Sequence, residues 1–158
     1  MIELDSSRQR LPKKIVEARE RLFVQLDPTA FLADPELISA LSKRAAPIDC
    51  RTDRILFHQD DAAAGLYIVH KGEVKLSMTS LQGSPIVSAR AGTGSILGLP
   101  GLISNQPYSL TAVAHAGAQV SFVDRSSFTA LMQSDPTLAL KILQVLAAEV
   151  RSARHALY

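Results

Sequence analysis

The stretch from Gly92 to Ala112 has the composition of a ligand-binding loop. It holds four of the eight glycines and two of the eight prolines of the chain, and glycine lets a backbone approach a ligand closely. A short helix that begins near Gly98 would direct unpaired backbone N–H groups at an anion or a polar atom. The polar side chains of Asn105 and Gln106 follow it. The loop therefore predicts a binding site for an anion or a polar ligand.

The residues that most often perform catalysis or hold metals are few and scattered. The four histidines stand at positions 58, 70, 115 and 155, with no His-X-His pair and no carboxylate in the glycine loop to complete a cupin-type metal site. No Ser–His–Asp or Cys–His grouping is evident from spacing. Cys50 is the only cysteine, which excludes an intrachain disulfide and a cysteine-ligated cluster within one chain. We expect no enzyme activity, no metal, no haem and no other cofactor.

The composition is that of an ordinary globular domain. Of 158 residues, 47% are hydrophobic and 20% charged, and the net charge is +2, so no strong global field points to nucleic acid or to an acidic membrane. The first residues contain no apolar run typical of a signal peptide. No segment approaches the roughly 18 apolar residues of a membrane span. We therefore expect a cytoplasmic protein that does not enter a membrane.

The distribution of glycine divides the chain into three parts. All eight glycines lie between Gly65 and Gly117, a pattern typical of a turn-rich β core with helical ends. We predict an N-terminal helical segment at residues 1–47, a β core at 48–124 that contains the loop 92–112, and C-terminal helices at 125–158.

Two helices are predicted in the first part. Apolar residues recur at helical spacing from Lys13 to Leu26, and Asp27-Pro28 would end that helix. Asp34 followed by Pro35 is a helix-start signal for the second one, and Pro47 would end it.

Short strands are predicted throughout the second part. Val74, Leu76 and Met78 alternate with polar residues, the period-two spacing of a strand with one buried face. With the apolar run 66–69 and the turn 71–73, they predict a hairpin. Other β-like runs are 55–57, 86–90, 110–115 and 120–123. Short strands at this spacing predict a mainly β fold, an antiparallel jelly roll (double-stranded β-helix) with flanking helices.

The third part predicts a long C-terminal helix that begins after Asp135-Pro136. An a/d heptad seam follows at Ala139, Leu143, Leu146, Val150, Ala153 and Leu157. This seam either packs on the β core of its own chain or pairs with a second copy. We expect a parallel homodimer helix, because the seam covers about three heptads at the end of the chain. Leu138, Ile142 and Val145 form a second apolar face that would seat the helix on the β core.

Taken together, five regions of the sequence make the chain similar to a known family. They are 57–61 (FHQDD), 66–69 (LYIV) with 71–74 (KGEV), the glycine loop 94–102, 109–112 (SLTA) and the predicted short helix 128–132. In this order they resemble the cyclic-nucleotide-binding domain, and more narrowly the sensor half of the catabolite-activator and FNR superfamily of bacterial regulators. The resemblance spans residues 20–155.

The resemblance implies that the glycine loop is a phosphate-binding cassette. Members that bind cyclic nucleotides carry a glutamate after the first glycine, for the ribose hydroxyl, and an arginine before a later Ser or Thr, for the cyclic phosphate. Gly98 matches the glycine, but Leu99 stands at the glutamate position and Tyr108 at the arginine position before Ser109. Residues 91–123 contain no Asp, Glu, Lys or Arg.

We therefore expect no tight binding of cyclic AMP or cyclic GMP. Charge-assisted hydrogen bonds contribute roughly 1.5–3 kcal/mol each, so the loss of both pairs weakens binding by a factor on the order of 10² to 10⁴. The pocket is either retuned for a less charged ligand or collapsed, with Leu99 and Tyr108 as core residues. The candidate lining residues are Leu97, Gly98, Leu99, Tyr108 and Ser109.

Three functions remain open. In the first, a small-molecule effector in the loop changes how two C-terminal helices pair. In the second, the domain is a ligand-free dimerisation or interaction module. In the third, the chain is the truncated sensor half of a DNA-binding regulator. Regulators of this family continue into a helix-turn-helix, and we expect no such motif within these 158 residues.

Overall fold

The computed structural model describes residues 24–156, which form nine strands, four α-helices and a 3₁₀ helix. The strands are β1 (Val24–Gln25), β2 (Ala46–Ile48), β3 (Arg54–Phe57), β4 (Gly65–Lys71), β5 (Val74–Thr79), β6 (Pro85–Ala91), β7 (Ser95–Leu97), β8 (Thr111–Ala114) and β9 (Gln119–Asp124). The helices are α1 (Pro35–Ser42), α2 (Leu99–Ser104), α3 (Arg125–Ser134) and α4 (Pro136–Ala156), with the 3₁₀ helix at Pro28–Phe31.

The strands form two sheets. One has the order β1-β6-β5-β8-β3 and the other the order β2-β9-β4-β7. Neighbouring strands are antiparallel except β1, which runs parallel to β6. The prediction of a mainly β, jelly-roll fold with flanking helices and a long C-terminal helix is confirmed.

Strand β4 separates two hydrophobic cores because its side chains alternate between the two faces of the sheet. Tyr67 and Val69 belong to the cluster between the sheets. Leu66 and Ile68 belong to the cluster beneath the helices. The second cluster also contains the apolar stripe of α4, with Leu138 and the residues that follow it at helical spacing, so the predicted seating of this helix on the β core is confirmed.

The helix-start signals in the sequence act as predicted. The Asp34 carboxylate accepts a hydrogen bond from the Glu36 N–H at 2.8 Å and caps α1. The Asp135 carboxylate accepts from the Thr137 N–H at 3.1 Å where α4 begins. The Asp124 carboxylate, for which no cap was predicted, accepts from the Ser127 N–H at 2.7 Å and caps α3. Each cap satisfies an amide that has no partner within its helix.

The helix predicted from Lys13 to Leu26 is wrong in the part that the structure describes; residues 13–23 lie outside it. Val24 and Gln25 are extended and pair with Val87 and Ser88 at the sheet edge. The Leu26 N–H continues the pairing by donating to the Ser88 carbonyl at 2.9 Å. The ladder satisfies backbone groups that a helix would have satisfied internally, so tertiary pairing overrides the local helical pattern.

The short strands β2 and β7 extend the predicted β core. Pro47, the predicted end of the second helix, lies inside β2, which pairs with β9. The run predicted as a strand from residue 110 begins at Thr111. The division of the chain at residues 47 and 124 stays a prediction, and β1 and β2 of its first part pair with strands of its second part.

Two side chains of α4, Lys141 and Ser152, bind polar groups in the N-terminal part of the fold. The Lys141 ammonium lies 2.9 Å from the Asp34 carboxylate and 3.6 Å from that of Glu36. The hydrogen bond to Lys141 lowers the pKa of Asp34. Near the other end of α4, the Ser152 hydroxyl accepts from the Asp27 N–H at 3.0 Å. These contacts fix the rotation of α4, which decides which of its side chains face the cassette.

Candidate functional site

The cassette runs from β7 through α2 to β8. Gly98 precedes α2 with φ of 90°, a conformation that side chains other than glycine rarely adopt. A Cβ at Gly98 would also stand 2.9 Å from a ring carbon of Tyr108. Asn105 ends α2 in the left-handed conformation with φ of 55°. The glycine of the motif is therefore required by the backbone turn and by the tyrosine packed against it.

The start of α2 offers fewer donors than the sequence suggests. The helix has six residues, and its second residue is Pro100, which carries no N–H. No acidic residue lies in the first turn and no basic residue in the last. The cassette therefore has weaker means of holding a phosphate than its glycine content indicated.

Tyr108 is buried at the centre of the cassette, with 4% of its surface exposed. Its hydroxyl donates to the Gly65 carbonyl at 2.6 Å and accepts from the Gly65 N–H at 3.3 Å. Its ring stacks on that of Phe57 with centroids 4.0 Å apart. Burial raises the pKa of the Tyr108 hydroxyl, which stays neutral. At the position where the family resemblance expects an arginine, the side chain is a hydrogen-bonded core residue.

Arg125 joins the cassette to α3. Its guanidinium donates to the Ala63 carbonyl at 2.6 Å and to the Leu102 carbonyl, in the last turn of α2, at 2.8 Å. A cation at this end of a helix interacts favourably with the helix dipole. Sequence reasoning missed this residue, because Arg125 belongs to no motif and the two carbonyls that it binds lie 62 and 23 residues away.

Loss of the Arg125 side chain should destabilise the fold. Because Arg125→Ala leaves two carbonyls without their charged donor, we expect its free energy of unfolding to fall by about 2–3 kcal/mol. The free energy of unfolding of Arg125→Lys should lie between those of Arg125→Ala and the wild type. The lysine ammonium keeps the charge but does not reproduce the planar guanidinium with its two parallel donors. Urea denaturation measures these differences.

The matched control is Arg51→Ala. Among the described residues Arg51 pairs with Asp49, and its side chain is 89% exposed, so its loss should leave the free energy of unfolding almost unchanged. Equal losses for Arg51→Ala and Arg125→Ala would contradict the linking role of Arg125.

A small cavity lies between the cassette, the β core and α4. It has a volume of about 40 Å³, and Phe31, Phe57, Leu76 and Leu97 form its apolar wall. This volume is close to that of one or two water molecules. Typical ligand pockets hold roughly 300–1,000 Å³. In the present conformation the cavity does not admit a nucleotide.

The structure brings three of the five predicted pocket residues to this cavity. Leu97, Gly98 and Ser109 line it. Tyr108 packs behind Phe57, within the same core. Leu99 is fully buried in the other core, beneath the helices, so at the glutamate position the chain supplies an apolar core residue. Ligand binding by these residues stays a prediction.

Glu149 of α4 supplies the only ionisable side chain of the cavity lining within residues 24–156. Burial raises the pKa of its carboxyl to about 7. Sequence reasoning missed it, although a signal exists. Leu138, Ile142 and Val145 form the buried stripe of α4, and Glu149 is the next position of that stripe at spacing 4, 3, 4. Glutamate is rarely buried, so a glutamate that continues a buried apolar stripe indicates a carboxyl with an unusual environment.

The predicted dimer seam lies mostly away from the core, although Leu146 packs against the cluster beneath the helices. Leu143 is 59% exposed and Val150 52% exposed, and the other three described seam residues are partly exposed, namely Ala139, Leu146 and Ala153. Leu157 lies outside the described residues. The seam is therefore available to a partner, and pairing through it stays a prediction.

The described residues contain neither a candidate metal site nor a candidate membrane span. No group of three or more His, Cys, Asp or Glu side chains among residues 24–156 is arranged to hold a metal ion. In the same part of the chain, no helix has the length and apolar character needed to span a bilayer.

Comparison with known families gives one match over more than half of the chain. Residues 47–135 match the family model described as "cyclic nucleotide-binding domain". The matched part extends from β2 through the cassette to the end of α3.

Individual relatives agree with this match. The cyclic AMP receptor protein of Thermus thermophilus is 31% identical over 98 residues, which are 62% of this chain and 45% of the relative. The crystal structure of the Thermus thermophilus catabolite activator protein superposes with a TM-score of 0.68 at 26% identity, covering 77% of this chain and 57% of that one.

One relative is an enzyme by name. Lysophospholipase NTE1 of Chaetomium globosum is 25% identical over 118 residues, which are 75% of this chain and 8% of that protein. The match is confined to the cyclic nucleotide-binding part of a multidomain protein. The chain thus spans about half the length, or less, of these curated relatives.

Proposed function

Because the chain belongs to the cyclic nucleotide-binding domain family, with relatives among regulators of the catabolite-activator and FNR type, we propose that it is a regulatory sensor domain whose cassette does not hold a cyclic nucleotide. The domain either responds to a different small molecule or acts without one. The Thermus thermophilus relative is named a cyclic AMP receptor protein, and the lysophospholipase is matched only through its cyclic nucleotide-binding part, so we propose no catalytic activity for this chain.

The observation that carries the proposal is the replacement of both charged cassette groups by buried apolar or neutral side chains. Leu99 is part of the helix-side core and Tyr108 is part of the inter-sheet core. Neither can become a ligand without leaving its core. Among the lining residues that the structure describes, a cyclic nucleotide would meet the carboxyl of Glu149 and no cationic side chain.

The position of α4 supports a sensing role. One face of this helix places Glu149 at the cavity, and another face exposes Leu143 and Val150. A ligand that moves Glu149 would therefore also move the exposed seam. A change of dimer geometry requires only that the ligand prefers one of two positions of the helix.

A ligand-free dimerisation module is the second candidate. It is favoured by the cavity volume of about 40 Å³ and by the fully hydrogen-bonded Tyr108 hydroxyl. In this case the side chains that fill the cassette stay in the core, and α4 serves only to bind a partner.

Activity beyond the domain is also a proposal. Since the curated relatives are about twice as long as the matched region or longer, we propose that this domain works together with an output part, and that it acts in the cytoplasm. A DNA-binding output is one such part.

Charged substitutions in the predicted seam of α4 should dissociate a dimer. We expect Leu143→Glu combined with Val150→Glu to raise the dimer dissociation constant at least 100-fold, because the pair places like charges at an apolar interface. Sedimentation velocity measures the monomer fraction. Gln144→Glu is the control, since Gln144 is exposed on the same helix and lies off the seam. A wild type that is monomeric at high micromolar concentration would contradict the seam.

Thermal-shift titration with a metabolite panel tests the sensor proposal. A ligand at a hundred times its dissociation constant stabilises a protein by about 2.7 kcal/mol, which gives a melting shift of several degrees. A shift with a compound other than a cyclic nucleotide supports a retuned sensor. The absence of a shift with every compound supports the ligand-free module.

A further inference from the structure

We propose that Glu149 determines the charge of the ligand and that the cavity takes the ammonium head group of a small amine in place of a phosphate. This inference deepens the sensor function proposed above and rests on it. It assigns to α4 a recognition group that the cassette itself does not contain.

The charges at the cavity are the opposite of those that a phosphate requires. A phosphate site needs cationic side chains or several free N–H groups, and within residues 24–156 the lining contains neither Lys nor Arg. Pro100 removes one amide donor. The single ionisable group is the carboxylate of Glu149, an acceptor that attracts cations and donors and repels anions.

The other lining groups suit an ammonium. The hydroxyl of Ser109 is a further acceptor, and the aromatic residues Phe31 and Phe57 line the same cavity. A carboxylate combined with aromatic rings is a favourable environment for a cation, because the ring faces are electron-rich. The volume of about 40 Å³ accommodates a group of the size of water, which an ammonium is, with the carbon chain of the amine directed out of the cavity.

Charged groups on the elements around α4 are engaged elsewhere. Asp27 at the 3₁₀ helix bonds to Thr29. Asp34 and Glu36 of α1 bind Lys141. Arg125 of α3 binds two carbonyls. Arg151 and His155 of α4 line a different surface, the cleft toward β1 and the 3₁₀ helix. None of these lines the cavity, and burial raises the pKa of Glu149.

The test uses ethylammonium chloride as the probe and the whole chain as the protein. Ethylammonium has three heavy atoms, which limits its dissociation constant from the protein to about 1 mM at best. At 100 mM probe and pH 8, relative to sodium chloride at equal ionic strength, we expect the melting temperature of the wild type to rise by about 5 °C. Glu149→Gln should show no rise. Glu73→Gln, which removes the same charge at an exposed site, should behave as the wild type does.

A measurement on the wild type needs no variant. Because the pKa of Glu149 is about 7, the carboxyl is about 90% ionised at pH 8 and about 10% at pH 6, whereas ethylammonium is charged at both values. The apparent affinity should therefore fall about ninefold at pH 6. Amide NMR shifts at Gly98 and Gly101 should identify the site.

An equal rise in wild type and Glu149→Gln, no rise in the wild type, or shifts confined to other residues would overturn the inference. These results leave the proposed function intact, because a sensor for another compound or a ligand-free module would still fit them. Micromolar binding of cyclic AMP to the wild type is a separate outcome. It would overturn the proposed function and the inference together.

Discussion

Substitution of Tyr108 by alanine is expected to lower the free energy of unfolding by about 3–5 kcal/mol, and substitution by phenylalanine by about 1–2 kcal/mol. Phenylalanine keeps the ring that stacks on Phe57 and loses only the hydroxyl, which bonds to both backbone groups of Gly65. A buried polar group left without its partner costs roughly 1–3 kcal/mol. Alanine loses the ring as well and leaves a cavity in the core. Urea denaturation monitored by far-UV circular dichroism measures both variants.

Tyr67→Phe is the matched control for this pair. Tyr67 lies in the same aromatic cluster, and its hydroxyl donates to the Leu56 carbonyl at 3.0 Å, so its loss should cost about 1 kcal/mol. Tyr108→Ala also enlarges the cavity beside Phe57. A Tyr108→Ala variant as stable as Tyr108→Phe would show that the tyrosine ring is not part of the core, and the collapsed pocket would then be wrong.

Glu149→Gln is expected to stabilise the domain at high pH and to have little effect at low pH. The carboxyl has an ordinary pKa near 4.5 in the unfolded chain and about 7 in the folded protein. Between these values the folded state binds more protons than the unfolded state, so stability falls as pH rises through this range. Full burial would make the difference about 3 kcal/mol, and the partial exposure of the side chain reduces it to about 2 kcal/mol.

The measurement is the difference in unfolding free energy between wild type and Glu149→Gln at pH 5 and pH 8. The expected difference is below about 0.5 kcal/mol at pH 5 and about 2 kcal/mol in favour of the variant at pH 8. Glu73→Gln is the control, because it removes the same charge at an exposed site and so measures the effect of net charge alone. A variant that is less stable than the wild type at pH 8 would show that the carboxylate is favourably bound in the fold, which would contradict its place in an apolar cavity.

The sequence was informative where one local rule decided the structure. Period-two alternation at Val74, Leu76 and Met78 predicted β5, since one face of the strand is buried. The Asp-Pro pair at Asp34 and Pro35 predicted the start of α1 because side-chain capping and the proline conformation act within a few residues. The same reasoning placed α4 and its buried face.

Elements decided by distant partners were not predictable in this way. β1 is two residues long and exists because its backbone meets the edge of β6, so the local helical pattern before Leu26 was misleading. β7 contains only buried residues and has no alternation to reveal it. β2 includes a proline, which is tolerated at its sheet edge.

The cassette shows the same limit at single residues. The positions of Gly98 and Ser109 at the cavity followed from the motif, whereas Leu99 and Glu149 did not. Leu99 faces the helix-side core because α2 turns it there. Glu149 reaches the cavity from α4, at a separation of 40 residues from Ser109 along the chain, and only the rotation of that helix decides the contact.

Calorimetric titration of the purified protein with cyclic AMP and with cyclic GMP tests the central claim most directly. The account predicts no heat of binding at up to 100 µM ligand, because the described part of the cavity lining offers no cation for the phosphate and the cavity has a volume of about 40 Å³. A saturable heat with a dissociation constant in the micromolar range would contradict it, and would show that the cassette opens and binds a nucleotide without the two charged groups that the family motif supplies.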